Sequence, residues 1–155
     1  MFATIAKAAA AATCGLLMAA TPMLAGPAQA RVAPSGPQAA YTYEWNEAVK
    51  SGAPLYYHGY YCNGTTGATA CFDPVGDVIY VKDIKADGYS AVMRWYTDYG
   101  RWGTCRNAHG NGTWAKCNKD FAEGHQITWR ATRYNGNTGK WVAPESNTFT
   151  MGTSG

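Results

Sequence analysis

Val78-Ile79-Tyr80-Val81-Lys82, then Asp83-Ile84-Lys85-Ala86-Asp87-Gly88, then Tyr89-Ser90-Ala91-Val92-Met93-Arg94-Trp95-Tyr96 decide the fold class of this 155-residue chain. The first run is β-branched and aromatic, the composition of a strand. Ala86-Asp87-Gly88 supplies turn chemistry, with a glycine where the backbone needs positive φ. The last run alternates. Tyr89, Ala91, Met93 and Trp95 fall on one face and Ser90, Val92, Arg94 and Tyr96 on the other, the period of a half-buried strand.

The same pattern extends in both directions. Upstream, Tyr56, Tyr57, Tyr60 and Tyr61 lead into Cys62, and Asn63-Gly64-Thr65-Thr66-Gly67 turns the chain towards Cys71. Downstream, Asp98-Tyr99-Gly100 is a turn. Arg101 to Arg106 and Thr113 to Asn118 flank Asn107-Ala108-His109-Gly110-Asn111-Gly112 and read as a further hairpin. Gln126 to Tyr134 alternates Ile127, Trp129 and Ala131 against Thr128, Arg130 and Thr132. Asn135-Gly136-Asn137-Thr138-Gly139 turns it into Lys140-Trp141-Val142, and Thr148 to Met151 is a last strand.

Short strands at intervals of about ten residues predict an all-β domain. The expected form is a small disulfide-stabilised β-sandwich, Ig-like or similar, or a barrel, of about seven to eight short antiparallel strands. Tyr41 to Val49 reads as a short strand followed by a helical turn, stopped by Gly52 and Pro54, and is the one place with room for a short N-terminal helix.

Residues 1–30 read as a secretory signal. Lys7 gives the positive start, an Ala-rich apolar run follows to Leu24, and Ala28-Gln29-Ala30 is a small-x-small cleavage site. Thr13, Pro22 and Gly26 interrupt the run, which argues against a membrane span. The expected order is therefore a signal peptide over 1–30, a flexible arm over 31–40 and a single secreted β-domain over 41–155. Without Lys7 the chain holds 12 basic against 10 acidic residues, scattered rather than clustered. That excludes an electrostatic nucleic-acid footprint, and no membrane association is expected after cleavage.

Cys14 lies in the leader. Cys62, Cys71, Cys105 and Cys117 remain, and an even set of thiols in an exported domain reads as disulfides. Four cysteines permit three pairings. Cys62–Cys71 and Cys105–Cys117 are favoured because each pair flanks a Gly-rich turn and would clip a hairpin.

Catalytic signals are sparse. His58, His109 and His125 form no His-Glu-x-x-His motif. His109, with Asp98 or Asp120 nearby, has the make-up of a general base but also of a solvated turn residue. Ser90 lacks the second glycine of a nucleophile elbow. Asp73 with Asp77 and Asp83 with Asp87 are the carboxylate pairs a glycosidase would need, and both flank turns where Asp is common. No cofactor and no metal are expected.

The remaining lead is aromatic: 11 Tyr and 6 Trp. Tyr80, Trp95, Trp129 and Trp141 are assigned to packing. Tyr99, Arg101, Trp102 and Arg106 have the Tyr/Trp/Arg composition of an interface hot spot. With His109, and with Arg31, Tyr41, Tyr43 and Trp45 around the arm, they are the expected partner-binding residues. The readings in view are a non-catalytic binding or adaptor module, a carbohydrate or cell-wall binder using Tyr and Trp platforms, and a small hydrolase or hydrolase inhibitor.

Gly76-Asp77-Val78-Ile79-Tyr80-Val81-Lys82-Asp83, Lys85-Ala86-Asp87-Gly88-Tyr89-Ser90-Ala91-Val92 and the Cys105-Arg106-Asn107 to Cys117-Asn118 segment resemble small secreted proteins of Streptomyces and relatives. The resemblance covers roughly residues 60–134 and implies a disulfide-bearing β-fold. In size, export, lack of a catalytic motif and a free N-terminal arm, the chain is also similar to the small adaptor subunit of Streptomyces umbrella toxin particles. That resemblance implies a protein linking a lectin-type subunit to a large scaffold, with its N-terminal segment docking into the lectin subunit.

Overall fold

The computed structural model describes residues 40–55 and 60–153. The leader, the arm except Ala40, and Arg31, Tyr56, Tyr57 and His58 lie outside the described residues. Among the described residues the chain is all-β: β1 (Glu44–Glu47), β2 (Val49–Ser51), β3 (Tyr61–Thr65), β4 (Ala68–Asp73), β5 (Val78–Asp83), β6 (Ser90–Thr97), β7 (Trp102–Asn107), β8 (Trp114–Asn118), β9 (Gln126–Asn135), β10 (Lys140–Val142) and β11 (Phe149–Gly152). They form two sheets. Sheet A runs β1-β7-β6-β9-β10 with β11 also on β9, and sheet B runs β2-β8-β5-β4-β3.

The inward residues of the two sheets make one core. Sheet B contributes Ala68, Ala70, Phe72, Ile79, Val81 and Ala115, and sheet A contributes Ala91, Met93, Trp95, Ile127, Trp129 and Ala131. The alternation read from β6 and β9 therefore sets their inner faces. Phe121 closes one end, with its ring 5.0 Å from Trp95 and 5.9 Å from Phe72.

Three expectations are corrected. The segment Tyr41 to Val49 forms no helical turn. Glu44–Glu47 pairs with β7 in parallel, and after Ala48 the chain changes sheet so that Val49–Ser51 pairs with β8. Open sheet edges on both layers offered ladder hydrogen bonds and a slot for Ala48, and that outweighs the weak local helix preference. β5 and β6 do not form a hairpin, because the Ala86-Asp87-Gly88 turn carries the chain from sheet B to sheet A. The same holds for β7 and β8, where the loop around His109 crosses in the other direction. Turn residues fix a reversal of direction, but they do not decide whether the two arms share a sheet.

The cysteines pair as Cys62–Cys71 and Cys105–Cys117. Cys62 and Cys71 stand opposite one another on β3 and β4, so this bridge does clip a hairpin. Cys105 is on sheet A and Cys117 on sheet B, so the second bridge staples the two layers instead. Two disulfides mark a domain suited to an oxidising, extracellular-type environment.

Both sides of the sandwich are closed. The β1–Ala48–β2 switch covers one. On the other, the Thr65 hydroxyl donates to the Pro144 carbonyl at 2.9 Å, Asn63 donates to the Asn147 carbonyl, and Tyr61 stacks on Phe149 at 5.4 Å. Ser146 fills the gap between β10 and β11, exchanging hydrogen bonds of 2.9 Å with both main-chain groups of Ala131.

Candidate binding face on sheet A

The outward residues of sheet A line up in rows set by strand register. One row is Trp45, Thr104, Arg94 and Arg130, and the next is Glu47, Arg106, Val92 and Thr132. Tyr96 and Trp102 are partners beyond the first row, and Tyr134 and Trp141 are partners beyond the second. Solvent does not reach Val92, Thr104 or Thr132, although all three point away from the core. A second layer of side chains covers them. Trp45 leans over the sheet to within 4.9 Å of the Tyr134 ring and 6.1 Å of Trp141, and Tyr134 lies 5.1 Å from Trp141. The Arg106 guanidinium sits 5.2 Å over Tyr134 and that of Arg94 4.8 Å over Trp141, both within cation–π range. Tyr43 packs on Trp102 at 4.6 Å.

This layer is partly exposed, with Tyr96 at 49% and Trp102 at 47%. Ion pairs fix its arginines. Arg106 donates to Glu47 at 3.0 Å and to the Ser90 hydroxyl at 3.0 Å. Arg94 and Arg130 donate to the two oxygens of Glu145 at 2.8 and 2.9 Å. Burial raises the Glu145 pKa, but the two guanidinium hydrogen bonds outweigh it and hold the carboxyl below its ordinary range.

The nine expected partner-binding residues divide by location. Tyr43, Trp45, Trp102 and Arg106 belong to this face. Tyr41, Tyr99 and Arg101 line a separate cavity of about 300 Å³ beside Asp120, Phe121 and Ala122. Arg101 is occupied structurally there: it donates to Glu44 at 2.5 Å and to the Asp120 carbonyl, and lies 5.1 Å over the Phe121 ring. The Tyr99 hydroxyl accepts the Ala122 N–H at 3.1 Å. His109 is in the inter-sheet loop, where its Nε2 donates to the Ala48 carbonyl at 2.9 Å and ties that loop to the sheet switch. Arg31 lies outside the described residues. Arg94, Tyr96, Arg130, Tyr134, Trp141 and Glu145 join the face without having been marked for it. The outward placement of Arg94, Tyr96 and Arg130 was readable in the alternation. Their convergence was not, because it depends on the β6–β9 register. Trp141, expected in the core, is 39% exposed on this face.

The candidate acid–base groups are bound locally. Asp73 and Asp83 accept the backbone N–H two residues ahead, at 3.0 Å each. Asp87 accepts from Tyr89 N–H at 3.1 Å and from Arg133 at 2.7 Å. Burial raises the pKa values of Asp77 and Asp83, and the Phe121 and Lys85 N–H groups oppose it. Asp98 stands 3.0 Å from His125 rather than beside His109. Among the described residues no three of His, Cys, Asp and Glu converge as metal ligands.

The fold and face together define a two-layer β-sandwich that presents an aromatic and guanidinium surface on one sheet. No family model, curated protein or solved structure matches the chain.

Proposed function

We propose that the chain is a secreted, non-catalytic binding module that docks a protein partner on the outer face of sheet A, the adaptor role implied by the resemblance to umbrella-particle adaptors. The observation that carries this reading is the second layer of Trp, Tyr and Arg side chains over that sheet. These are the residue types that dominate interface hot spots. The ion pairs and ring contacts hold them in place before binding, which lowers the ordering cost of association.

The ring geometry favours a protein partner over a glycan. Trp45, Tyr134 and Trp141 are inclined to one another by 48° to 62°, so they present edges and corners rather than one flat strip for sugar faces.

Capture from the producer's culture medium, with partners identified by mass spectrometry, tests the reading. Trp102→Ala and Tyr96→Ala are expected to lose the captured partner by tenfold or more, about 1.4 kcal/mol or more each. Lys116→Gln on the opposite sheet should keep it. A wild-type chain that runs only as a free monomer, or equal capture by the face variants, would defeat the proposal. A glycan array that binds wild type and not Trp102→Ala would shift the function to carbohydrate recognition.

A further inference from the structure

The docking face carries a charge imbalance at one point. Arg94 and Arg130 are direct partners across β6 and β9, and their side chains are 40% and 38% exposed. They share one anion, Glu145, each donating to a different carboxylate oxygen. Two guanidinium groups against one carboxylate leave a surplus of one positive charge, whereas the neighbouring Arg106–Glu47 pair is neutral. A guanidinium has five N–H donors. Among the described residues, Glu145 is the one hydrogen-bond acceptor that either arginine has.

Both arginines also line a cavity of about 90 Å³, with Tyr43, Tyr96 and Trp102 as further walls. Small-molecule sites usually span about 300–1,000 Å³. This one holds roughly three waters, the room needed for the end of a single side chain.

We propose that this cavity is a socket for an Asp or Glu side chain of the protein partner. The partner's carboxylate is held by Arg94 and Arg130, and its methylene groups lie against Tyr43, Tyr96 and Trp102. The proposal rests on the docking reading above and names the chemistry at the centre of that face. Glu145 already demonstrates how the arginine pair takes a carboxylate. The surplus charge selects a second anion, and the aromatic walls partly desolvate the contact, where charge-assisted hydrogen bonds gain strength.

The test titrates the full chain with an acetylated, amidated oligoglutamate. Oligoglutamine and oligogalacturonate are the comparison probes, and the readouts are the Trp102 indole N–H and arginine Nε–H NMR signals. Oligoglutamate is expected to shift these signals, more strongly at low salt than at physiological salt. Arg94→Gln and Arg130→Gln should each weaken it by about tenfold. Glu145→Gln frees the pair of its internal anion and should raise affinity several-fold, a gain that misfolding cannot mimic.

Equal binding of oligoglutamine, an affinity unchanged by the arginine variants, or no gain from Glu145→Gln would overturn the socket. Binding of oligogalacturonate in preference to oligoglutamate would assign it to an acidic glycan and also overturn it. Partner capture lost in Trp102→Ala but retained in Arg94→Gln and Arg130→Gln would leave the docking face standing and remove the socket alone. Capture retained in all three would remove the docking reading itself.

Discussion

Glu44 and Asp77 show how two carboxylates of one domain contribute with opposite sign. Glu44 accepts from Arg101 at 2.5 Å and from Lys119 at 2.7 Å, and the Lys119 side chain is only 4% exposed. Burial alone would raise the Glu44 pKa, but these two cations prevail and lower it. A folded pKa below the unfolded one stabilises the fold above the unfolded value, and that contribution is lost as pH falls through the folded value. Glu44→Gln removes the countercharge of the buried Lys119 ammonium and leaves it the neutral Asn46 oxygen as acceptor, so it is expected to cost about 3 kcal/mol at neutral pH. Urea denaturation should show the deficit shrinking in acid. Asp77 runs the other way. Its backbone is left-handed at φ 55°, one oxygen accepts the Phe121 N–H at 2.7 Å, and the other is buried with no hydrogen-bond partner among the described residues. Burial, reinforced by Glu123 and Asp120, raises its pKa. Its stabilising contribution is complete below the unfolded pKa and is lost as pH rises through the folded value. Asn accepts the left-handed backbone and retains an acceptor for Phe121. An unpaired amide costs less than an unpaired charge. Asp77→Asn should therefore be more stable than wild type at neutral pH, and the two denaturation midpoints should converge in acid.

At the scale of elements, the two disulfides have different work. Cys62–Cys71 joins strands that already share a ladder, and Cys62 is exposed. Cys105–Cys117 is largely buried and joins sheet A to sheet B at the edge where β1 switches layers. Loop entropy alone gives both bridges a similar contribution, about 2–3 kcal/mol. The difference comes from packing: Cys71 is the buried half of the first bridge and lies outside the main core cluster, whereas both cysteines of the second belong to that cluster, so removing the second opens the larger core site. Thermal melts of the two double Ala variants should show the larger loss for Cys105/Cys117, and mild reductant should open Cys62–Cys71 first. Equal losses would mean that the layers are held by apolar packing without help from the bridge. The cysteine spacing favoured the pairing that is found, but for Cys105–Cys117 the expected hairpin was wrong. A closed loop of that length spans two sheets as readily as two strands of one sheet.

At the scale of the molecule, the candidate face gathers residues from Tyr43 to Glu145. Its rows exist because β1, β7, β6, β9 and β10 stand side by side in sheet A while the strands between them in sequence build sheet B. Gly103 shows how tightly that assembly is set. A Cβ there would strike the Glu44 carbonyl and come within 2.9 Å of the Trp95 ring, so the β1–β7 pairing depends on a bare backbone at this position. Legible in the chain were the all-β class, the two faces of β6 and β9 and a preference for one of the three cysteine pairings. Each follows from short-range facts: strand composition, period-two alternation, and thiols flanking short loops. Tertiary packing settles which strands share a sheet, that Tyr41 to Val49 is a layer-switching edge, and that Trp45, Arg94, Arg130, Tyr134, Trp141 and Glu145 meet. Those outcomes rest on register and on competition for open sheet edges, interactions between residues far apart in the chain that no local pattern encodes.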